Sequence, residues 1–388
     1  MNKMKITTDI KYIGVNDYNI DLFEGQYSVP NGMSYNSYII LDDKIAILDS
    51  VDINFKDEWL NNIEQALNGR IPDYLIVQHM EPDHSACIDY FVSKYPNIVI
   101  VSSLQSFRMM KQYFKNEYGN NRLVVGENCK LNLGKHELYF YTATMVHWPE
   151  VIVTYDSYDK VLFSADGFGK FGAVEKIEEW ASEARRYYFG IIGKYGLQTQ
   201  NLLNKINKLD VSIICPLHGP VLDGNLSYYL DLYNIWSSYK PENKGVVIVY
   251  SSIYGNTRKV VEMLAFLLES KNQVVSLIDL ARTDLSKAIS DAFRYDKLVL
   301  ASVTYNADIF PHMRTFINGL IERNYQSRTI SLIQNGSWAP MSAKIMKNML
   351  AECKNINFID KVITISSSMS DSNIDELKEL VELLKNEV

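Results

Sequence analysis

Apolar and polar positions follow two different patterns along the chain. Up to about residue 236, short apolar runs are joined by tight polar turns; in Tyr38–Leu48, for example, two apolar strands flank Asp42 and Asp43 and predict a β-hairpin. The other elements predicted in this half are a helix near 54–66, a strand at 73–77, a helix from 84, and strands at 97–102, Glu137–Thr142, Val151–Tyr155 and Val161–Ser164. Two β-rich groups flanked by helices predict two stacked sheets covered by helices, an αββα sandwich.

The second half of the chain alternates strands with helices. Its predicted strands are 246–250, 274–279, 297–302 and 329–333, with helical stretches between them. This alternation is typical of βαβ units on a doubly wound parallel sheet. The polar stretch Ser237–Gly245 contains proline and glycine and separates the two patterns. We therefore predict two domains, 1–243 and 244–388.

Composition narrows the class of protein. A chain of 388 residues with 47% hydrophobic and 22% charged residues is typical of a globular protein with two cores. A net charge of −7 without a Lys/Arg cluster argues against nucleic-acid binding. No apolar run is long enough to span a membrane, and the first residues lack the apolar core of a signal peptide. We expect a cytoplasmic protein that binds neither membrane nor nucleic acid.

The four cysteines (Cys87, Cys129, Cys215 and Cys353) are scattered. They form no Cys-x-x-Cys pair, which argues against a disulfide scaffold and against a zinc or iron knuckle on this chain.

Seven ligand-type side chains follow predicted strands of the first half. Four of them come within six residues, directly after the apolar run Tyr74–Val77, and three follow later strands. The seven residues are His79, Glu81, Asp83, His84, His147, Asp166 and His218. Each alone is more often an ordinary hydrogen-bonded loop residue, but the full set favours a two-metal site. His136 and His312 lie apart from the set, and we expect both to be structural.

The loop resembles the H-x-H-x-D-H motif of the metallo-β-lactamase superfamily, with Glu81 in place of the second histidine. That departure, together with Gly32–Tyr38, Ser164–Ala173 and His218–Pro220, resembles the flavodiiron proteins, also called A-type flavoproteins. The resemblance extends over essentially the whole chain. Carboxylates mixed with imidazoles also suit iron better than a soft or all-nitrogen set. The resemblance implies one iron on His79, Glu81 and His147, the other on Asp83, His84 and His218, and Asp166 as the bridge.

A second candidate site begins after the predicted strand 246–250. A hydroxyl-rich loop leads into a helix, where backbone N–H groups can cradle a phosphate. The loop resembles the flavodoxin phosphate loop and lacks the Gly-Lys of a Walker loop; many such turns serve only as helix caps. The predicted contacts are Ser252, Ile253, Tyr254, Gly255, Asn256 and Thr257.

Two further loops of the second half strengthen this hypothesis. In an open α/β sheet, loops at the carboxyl ends of the strands flank the ligand crevice. The predicted residues are Ser302, Thr304, Tyr305 and Asn306 in one loop and Ser337, Trp338 and Ala339 in the other. Tyr305 and Trp338 offer aromatic faces for an isoalloxazine ring, so the expected cofactor is FMN; the alternative for Trp338 is packing under a helix. Asn335–Pro340 departs from the Gly-Trp-Ser arrangement common in the family.

The two sites together predict an oxidoreductase in which FMN passes electrons to a non-haem diiron centre. By resemblance, the enzyme reduces dioxygen to water, and the alternative is reduction of nitric oxide to nitrous oxide as main or additional activity. Two irons and one FMN can hold the four electrons that dioxygen requires. A metal-dependent hydrolase and an electron carrier with a degenerate metal site are the rival classes; Glu81 argues against the first and the complete ligand set against the second.

Residues and partners of the reaction are also expected. Glu24, Tyr27 and Tyr195 are candidates near the substrate, although each has an ordinary structural reading. The resemblance implies a head-to-tail homodimer, or a dimer of such dimers, because the FMN and the irons of one chain lie too far apart for fast transfer. It also implies an external donor, a rubredoxin or a flavin reductase.

Overall fold

The computed structural model describes residues 5–174 and 179–385. The chain forms two compact units, Met1–Asn234 and Ile235–Val388. This division falls within the helix Leu226–Ser237, a few residues before the predicted boundary at 243/244. The exact boundary stays a prediction.

The first unit is built on two main sheets. The six-stranded sheet has the order Ile10–Tyr12, Tyr38–Leu41, Ile45–Leu48, Tyr74–Ile76, Val99–Ser102 and Arg122–Val124. The five-stranded sheet has the order Lys130–Asn132, Glu137–Thr142, Ile152–Asp156, Val161–Phe163 and Ile213–Cys215. The predicted hairpin is present, with Tyr38 opposite Leu48 and Leu41 opposite Ile45.

Alternating side chains hold the two sheets together. Tyr38 and Ile40 of one sheet and Leu138 and Phe140 of the other are fully buried in one apolar cluster. Because every second residue of a strand points to the same face, this spacing directs one face of each sheet inward. On the outer face, the helix Lys56–Leu67 buries Trp59. The expected sandwich of two sheets with helices outside is thus confirmed.

Two small hairpin sheets and a set of helices complete the first unit. Val15–Asp17 pairs with Met33–Tyr35, and Leu22–Phe23 pairs with Tyr27–Ser28. The α-helices are Lys56–Leu67, Pro82–Ser85, Ile88–Lys94, Leu104–Phe114, Trp180–Tyr187, Gly196–Ile206 and Leu226–Ser237, with 3-10 turns at Ile53–Phe55 and Gly193–Tyr195 and a π turn at Tyr188–Ile192.

The second unit is a parallel sheet between helices. Its strand order is Val275–Asp279, Asn243–Tyr250, Tyr295–Tyr305, Arg328–Asn335 and Ile356–Ile365, and Asp308–Ile309 pairs with the end of Tyr295–Tyr305. In chain order this is 2-1-3-4-5, the doubly wound order of flavodoxin-like sheets, so the predicted fold class is confirmed. The pattern missed the fifth strand, which pairs with Arg328–Asn335 through an irregular register.

Apolar helix faces cover this sheet. The helices are Asn256–Glu269, Leu285–Arg294, Pro311–Glu322, Ser342–Met349, the 3-10 turn Leu350–Glu352, and Asp371–Lys385. Val260, Val261 and Leu264 have helical spacing and share one apolar cluster with Val246 and Ile248 of the strand Asn243–Tyr250. Among the described residues of the whole chain, no helix is long and apolar enough to cross a membrane.

Candidate metal centre and flavin-binding loops

The ligand-rich loop is fixed by a buried carboxylate at the end of a neighbouring strand. Asp49 accepts hydrogen bonds from the backbone N–H of Gln78 at 2.7 Å, its side-chain amide at 2.8 Å and the backbone N–H of His79 at 3.3 Å. Burial raises the pKa of Asp49 to about 6, although these hydrogen bonds oppose the shift. The short helix Pro82–Ser85 then presents Asp83 and His84 from its first turn.

The three later residues reach the same place from the five-stranded sheet. His147 follows the strand Glu137–Thr142, Asp166 follows Val161–Phe163, and His218 follows Ile213–Cys215. The backbone at Gly219 is left-handed, with φ of +79°, and a Cβ there would lie 2.7 Å from Cγ of Lys170. Glycine is therefore required directly after His218.

The first group of ligand-type atoms comprises His79, Glu81, His147 and Asp166. Nε2 of His147 lies 2.9 Å from Oε2 of Glu81, 3.0 Å from Oδ2 of Asp166 and 3.3 Å from Nε2 of His79. Nε2 of His79 lies 3.3 Å from both of these carboxylate oxygens. Two imidazole nitrogens and two carboxylate oxygens therefore converge on a common point.

The second group comprises Asp83, His84 and His218. Nε2 of His84 lies 3.0 Å from Nε2 of His218, and each of these atoms is 3.3 Å from Oδ2 of Asp83. Oδ1 of Asp166 lies 3.4 Å from Nε2 of His84 and 3.9 Å from Nε2 of His218. One oxygen of Asp166 therefore faces each group.

This geometry fits two metal ions. With metal–ligand bonds of about 2.1 Å, ligands at right angles lie about 3.0 Å apart and tetrahedral ligands about 3.4 Å apart. Most of the separations in each group fall near this range. Both oxygens of Asp83 and of Asp166 are buried without a hydrogen-bond partner in the described structure. Buried carboxylate oxygens need a partner, and a cation between the groups supplies one.

The electrostatics of the protein alone also favour a cation. Burial opposes the charging of His147, but Asp166 and Glu81 outweigh it and raise its pKa to about 9. Burial likewise opposes the charging of Asp166, yet His79, His147 and His84 lower the pKa of this carboxyl well below its usual range. The carboxylates thus attract positive charge, and a metal ion that binds here must displace protons from the imidazoles.

Three residues that support the ligands were not assigned this role from the sequence. Nδ1 of His79 donates to Oε1 of the buried Glu150 at 2.8 Å, and Nδ1 of His218 donates to the carbonyl of Ser34 at 2.7 Å. The side-chain amide of Asn36 donates to the carbonyls of Pro216 and Gly219, which flank His218, at 2.8 Å each. Ser34 and Asn36 lie in Gly32–Tyr38, a stretch singled out only by its resemblance.

The three candidates near the substrate occupy different positions. Tyr27 is buried and its hydroxyl donates to the carbonyl of Gly190 at 2.8 Å. Tyr195 ends a 3-10 turn and is partly exposed. Glu24 lies at the tip of the hairpin Leu22–Ser28 with its side chain exposed, and partial desolvation together with the nearby Glu81 raises its pKa. Of the three, Glu24 is the one whose pKa is affected by the nearby ligand-type residues Glu81, His147 and Asp83.

The two histidines predicted to be structural lie outside both groups. Nδ1 of His136 is 2.9 Å from Oδ2 of Asp156, and the same oxygen accepts the backbone N–H of Asp159 at 3.1 Å. The side chains of His136, Asp156 and Asp159 are close enough to hold an ion, but both carboxylate oxygens of Asp156 already accept hydrogen bonds from the protein. His312 is exposed on the helix Pro311–Glu322, beside Phe310.

The first flavin loop has the expected strand-to-helix form. Gly255, with φ of +88°, precedes the helix Asn256–Glu269. The Ser252 hydroxyl accepts the backbone N–H groups of Gly255 at 3.2 Å and Arg258 at 3.3 Å, so it lies at the start of the helix. Ile253 is 42% and Tyr254 93% exposed. Asn256 and Thr257 form the first turn, where backbone N–H groups favour an anion.

The other two loops lie beside the first flavin loop, but the strand before one of them is longer than predicted. Residues Ser302, Thr304 and Tyr305 belong to the strand itself, which runs to Tyr305 because Thr304 and Tyr305 pair with Ile309 and Asp308 across the turn at Asn306. The hydroxyl of Thr304 accepts the backbone N–H of Met341 at 2.9 Å and so holds the third loop in place.

Contacts among the loops bring the predicted residues together. The side-chain amide of Asn335 donates to the Thr257 hydroxyl at 3.3 Å and to the carbonyl of Ser367 at 3.2 Å, and the Ser367 hydroxyl donates to Ser337 at 2.8 Å. Ser367, after the unpredicted fifth strand, was missed. Trp338 is 83% exposed and Ala339 follows it in the same loop, so packing of Trp338 under a helix is ruled out.

Comparison with known families matches both units. Residues 33–219 match the model of the ODP family beta lactamase, and residues 247–367 match the model of a flavodoxin domain. The first match includes all seven ligand-type residues, and the second includes the three flavin loops.

Whole-chain comparison finds relatives with both parts. The chain is 27% identical to the rubredoxin-oxygen oxidoreductase of Megalodesulfovibrio gigas, over 90% of this chain and 89% of that one. It is 26% identical to the nitric oxide reductase of Moorella thermoacetica, over 90% of each. Among solved structures, it superposes on the rubredoxin oxygen:oxidoreductase of Desulfovibrio gigas with a TM-score of 0.91 and 25% identity, covering 99% of this chain and 98% of the other. The flavodiiron protein of Giardia intestinalis gives the same TM-score at 23% identity, covering 99% and 96%.

Proposed function

Because the chain belongs to the flavodiiron protein family, we propose that it is an oxidoreductase that uses FMN and two irons to reduce dioxygen to water. The observation that carries the proposal is the pair of converging ligand groups that share Asp166, in one chain with a flavodoxin domain. When bound, FMN supplies electrons one or two at a time and the irons supply a site where a small oxidant accepts them.

Each of the two ligand groups is assigned to one iron. We assign His79, Glu81 and His147 to one iron and Asp83, His84 and His218 to the other, with Asp166 as the bridge. Four imidazoles and three carboxylates provide mixed nitrogen and oxygen donors, which suits iron. The three carboxylates would also offset part of the positive charge of two bound ions.

Aromatic side chains surround the ligands and limit the access of water. The rings of Phe23, Tyr35 and Tyr187 lie 5.4, 6.1 and 5.5 Å from the ring of His218, and the ring of Trp148 lies 5.2 Å from that of His79. An apolar wall strengthens the electrostatic interactions inside it.

The flavin is assigned to the three loops at the carboxyl ends of the central strands. Residues 252–257 hold the phosphate at the start of the helix Asn256–Glu269, and Tyr305 and Trp338 provide faces for the isoalloxazine ring. The remaining contacts are Ser302, Thr304, Asn306, Ser337 and Ala339, with Thr304 acting through the third loop.

Nitric oxide is the second candidate substrate. The relatives named for oxygen and for nitric oxide are similar to this chain to almost the same degree, 27% and 26%. The two ligand groups, which both face Asp166, would hold two irons close together, and such a pair would supply positions for two nitric oxide molecules as well as for dioxygen. Nitric oxide reduction to nitrous oxide is therefore the alternative or additional activity.

The test of the function is a pair of anaerobic steady-state assays on purified protein. We expect a yellow protein with one FMN and two irons per chain that consumes dioxygen with a reduced rubredoxin or a flavin reductase as donor. Faster consumption of nitric oxide would make that gas the main substrate. A colourless protein that contains zinc and opens a lactam or thioester would contradict the proposal.

The partners belong to the same proposal. A rubredoxin or a flavin reductase donates the electrons, and two protomers pair head to tail so that the FMN of one serves the irons of the other. The proposal is supported by the location of the two sites in separate compact units and by the exposed rings of Tyr254 and Trp338, which offer apolar surface beside the flavin. A dimer of such dimers is compatible with the same pairing, and a cytoplasmic location fits these donors.

Mixed dimers test the pairing. One parent carries Asp83→Ala with His84→Ala and lacks an iron site; the other carries Asn256→Asp with Thr257→Asp, whose added charges repel the FMN phosphate. Each parent is expected to be nearly inactive, and mixing with re-association is expected to restore activity in proportion to the heterodimer fraction. If both parents dimerise and mixing restores nothing, transfer occurs within one chain.

A further inference from the structure

The proposed iron ligands are not all supported in the same way. Nδ1 of His79 donates to a carboxylate, Glu150, whereas Nδ1 of His218 donates to the neutral carbonyl of Ser34. For Nδ1 of His84, the described part of the chain provides no acceptor. Within the described part of the chain, His79 is therefore the proposed ligand whose ring forms a hydrogen bond with an anion outside the ligand set.

Glu150 is held rigidly in this position. Two residues later, the backbone N–H of Ile152 donates to the carbonyl of Gln78 at 3.1 Å, which joins the strand Ile152–Asp156 to the loop that carries His79. Oε1 of Glu150 accepts both Nδ1 of His79 at 2.8 Å and the backbone N–H of Met80 at 2.9 Å. The side chains of Glu150 and His79 have no exposed surface.

This contact determines how His79 can act. With its proton on Nδ1, the ring turns the lone pair of Nε2 toward Glu81 and His147. A hydrogen bond to a buried carboxylate is roughly twice as strong as one to a neutral acceptor. It also makes the imidazole a more basic ligand, which strengthens its bond to a cation.

We propose that Glu150 is a positioning residue that makes the group of His79, Glu81 and His147 the tighter of the two metal positions, so that this position fills first. The inference rests on the proposed function, because it takes the two groups to be metal sites. It adds an order of assembly and assigns that order to one residue outside the ligand set.

Glu150→Gln tests the inference because the amide oxygen can still accept both hydrogen bonds while the charge is lost. Asp156→Asn is the matched control: Asp156 is also a fully buried carboxylate, and it accepts a hydrogen bond from Nδ1 of His136 at 2.9 Å, away from both groups. Glu150→Asp retains the charge on a shorter side chain. Each protein is prepared full length and with FMN, stripped of metal, and titrated with Co²⁺ against a competing chelator.

The wild type should bind two Co²⁺ ions with unequal affinity. Glu150→Gln should weaken the tighter one about 10- to 100-fold, the usual effect of losing a residue that supports a ligand, and leave the weaker one nearly unchanged. Glu150→Asp should lie between Glu150→Gln and the wild type, and Asp156→Asn should match the wild type. In the iron-loaded Glu150→Gln protein, the Mössbauer signal of one iron should shift and that of the other should stay.

The outcomes separate the two proposals. If the wild type binds two ions and Glu150→Gln weakens neither, or weakens both equally, the inference is wrong and the proposed metal centre stands. If the wild type does not bind two ions, the metal centre itself is wrong. FMN content and thermal unfolding of each variant show whether it is folded; should Glu150→Gln not fold, Glu150→Asp decides, because unchanged constants there would contradict the proposal.

Discussion

The metal region and the flavin region of this chain are built in opposite ways. Six of the seven proposed iron ligands are at most 9% exposed, and they come from four separate loops. The residues proposed to hold FMN come from three loops at one sheet edge, and among them Tyr254 and Trp338 are 93% and 83% exposed. The first site is assembled inside the core of its own unit, whereas the second is an open surface at one edge of the sheet of the other unit.

This difference has a physical reason. Buried carboxylates and imidazoles are costly without partners, so the surrounding fold must fix each of them, as Asp49 and Glu150 do. A flavin brings its own large apolar surface and a phosphate, and a helix start with a few polar edges suffices to hold it. Changes in the metal region should therefore have larger and less graded effects than changes in the flavin region.

The largest effect is expected from Asp166→Ala, because Asp166 faces both ligand groups. Both irons should be lost, and turnover should fall on the order of 10³-fold, since a metal ion supplies several kcal/mol of stabilisation in such reactions. FMN content should not change. Iron analysis, flavin absorbance and dioxygen uptake on the same sample measure all three quantities. Loss of FMN in step with iron would show that the two regions are not independent.

Glu81→His should have the next largest effect. It replaces an oxygen donor within 3.3 Å of His79 and His147 by a nitrogen donor and restores the H-x-H-x-D-H pattern of a zinc hydrolase. We expect less iron and more zinc in the purified protein and a loss of dioxygen reduction, with FMN retained. Metal analysis after growth with both metals measures the change. Undiminished turnover with full iron would mean that Glu81 is not a ligand.

The comparison also explains which parts of the molecule the sequence could predict. The seven ligand-type residues stand out as a set because four of them come within six residues and the other three follow later strands of the same half. Glu150 does not stand out, because a glutamate three residues after His147 acquires its role only when Ile152 pairs with Gln78. The fifth strand was missed because Ile356–Ile365 alternates poorly and pairs with an irregular register.

Prediction from the sequence has the same limit in the flavin region. The strand-to-helix loop was predicted from local chemistry, and its position at the helix start agrees with that chemistry. The hydroxyl of Thr304 is used by the backbone of Met341, a contact between residues far apart in sequence. Local patterns thus identify where a ligand can bind, whereas the partners of each side chain depend on tertiary pairing.

Thr257→Val should have a moderate and graded effect. The hydroxyl of Thr257 is buried beside Asn335 at the proposed phosphate position, and valine has nearly the same volume. Loss of one hydrogen bond to a charged group should cost about 1.5–3 kcal/mol of FMN affinity. Flavin fluorescence quenching on titration of the apoprotein measures it. Thr315→Val, on the helix Pro311–Glu322 of the same unit, is the control and should change nothing.

An unchanged FMN affinity for Thr257→Val would rule out this phosphate contact. A complete loss of FMN binding would contradict the comparison itself, since an open site held by several loops should tolerate the loss of one hydroxyl.

The smallest effect is expected at His136, which has a buried carboxylate partner like His79 but no converging second imidazole. Burial opposes its charging, but the contacts with Asp156 and Asp9 outweigh burial and raise the pKa of His136 above 6.5. Because the folded pKa is the higher one, the protonated ring stabilises the fold below about pH 6.5, and this stabilisation is lost as the pH rises through the folded value. His136→Gln should therefore remove part of the decline in stability on the alkaline side of pH 6.5, by about 1 kcal/mol or less.

Denaturant unfolding of metal-loaded wild type and variant at pH 6 and pH 8.5 measures the difference. Parallel losses in both proteins would show that His136 is neutral throughout, and that a carboxylate beside an imidazole does not by itself hold a proton in this unit.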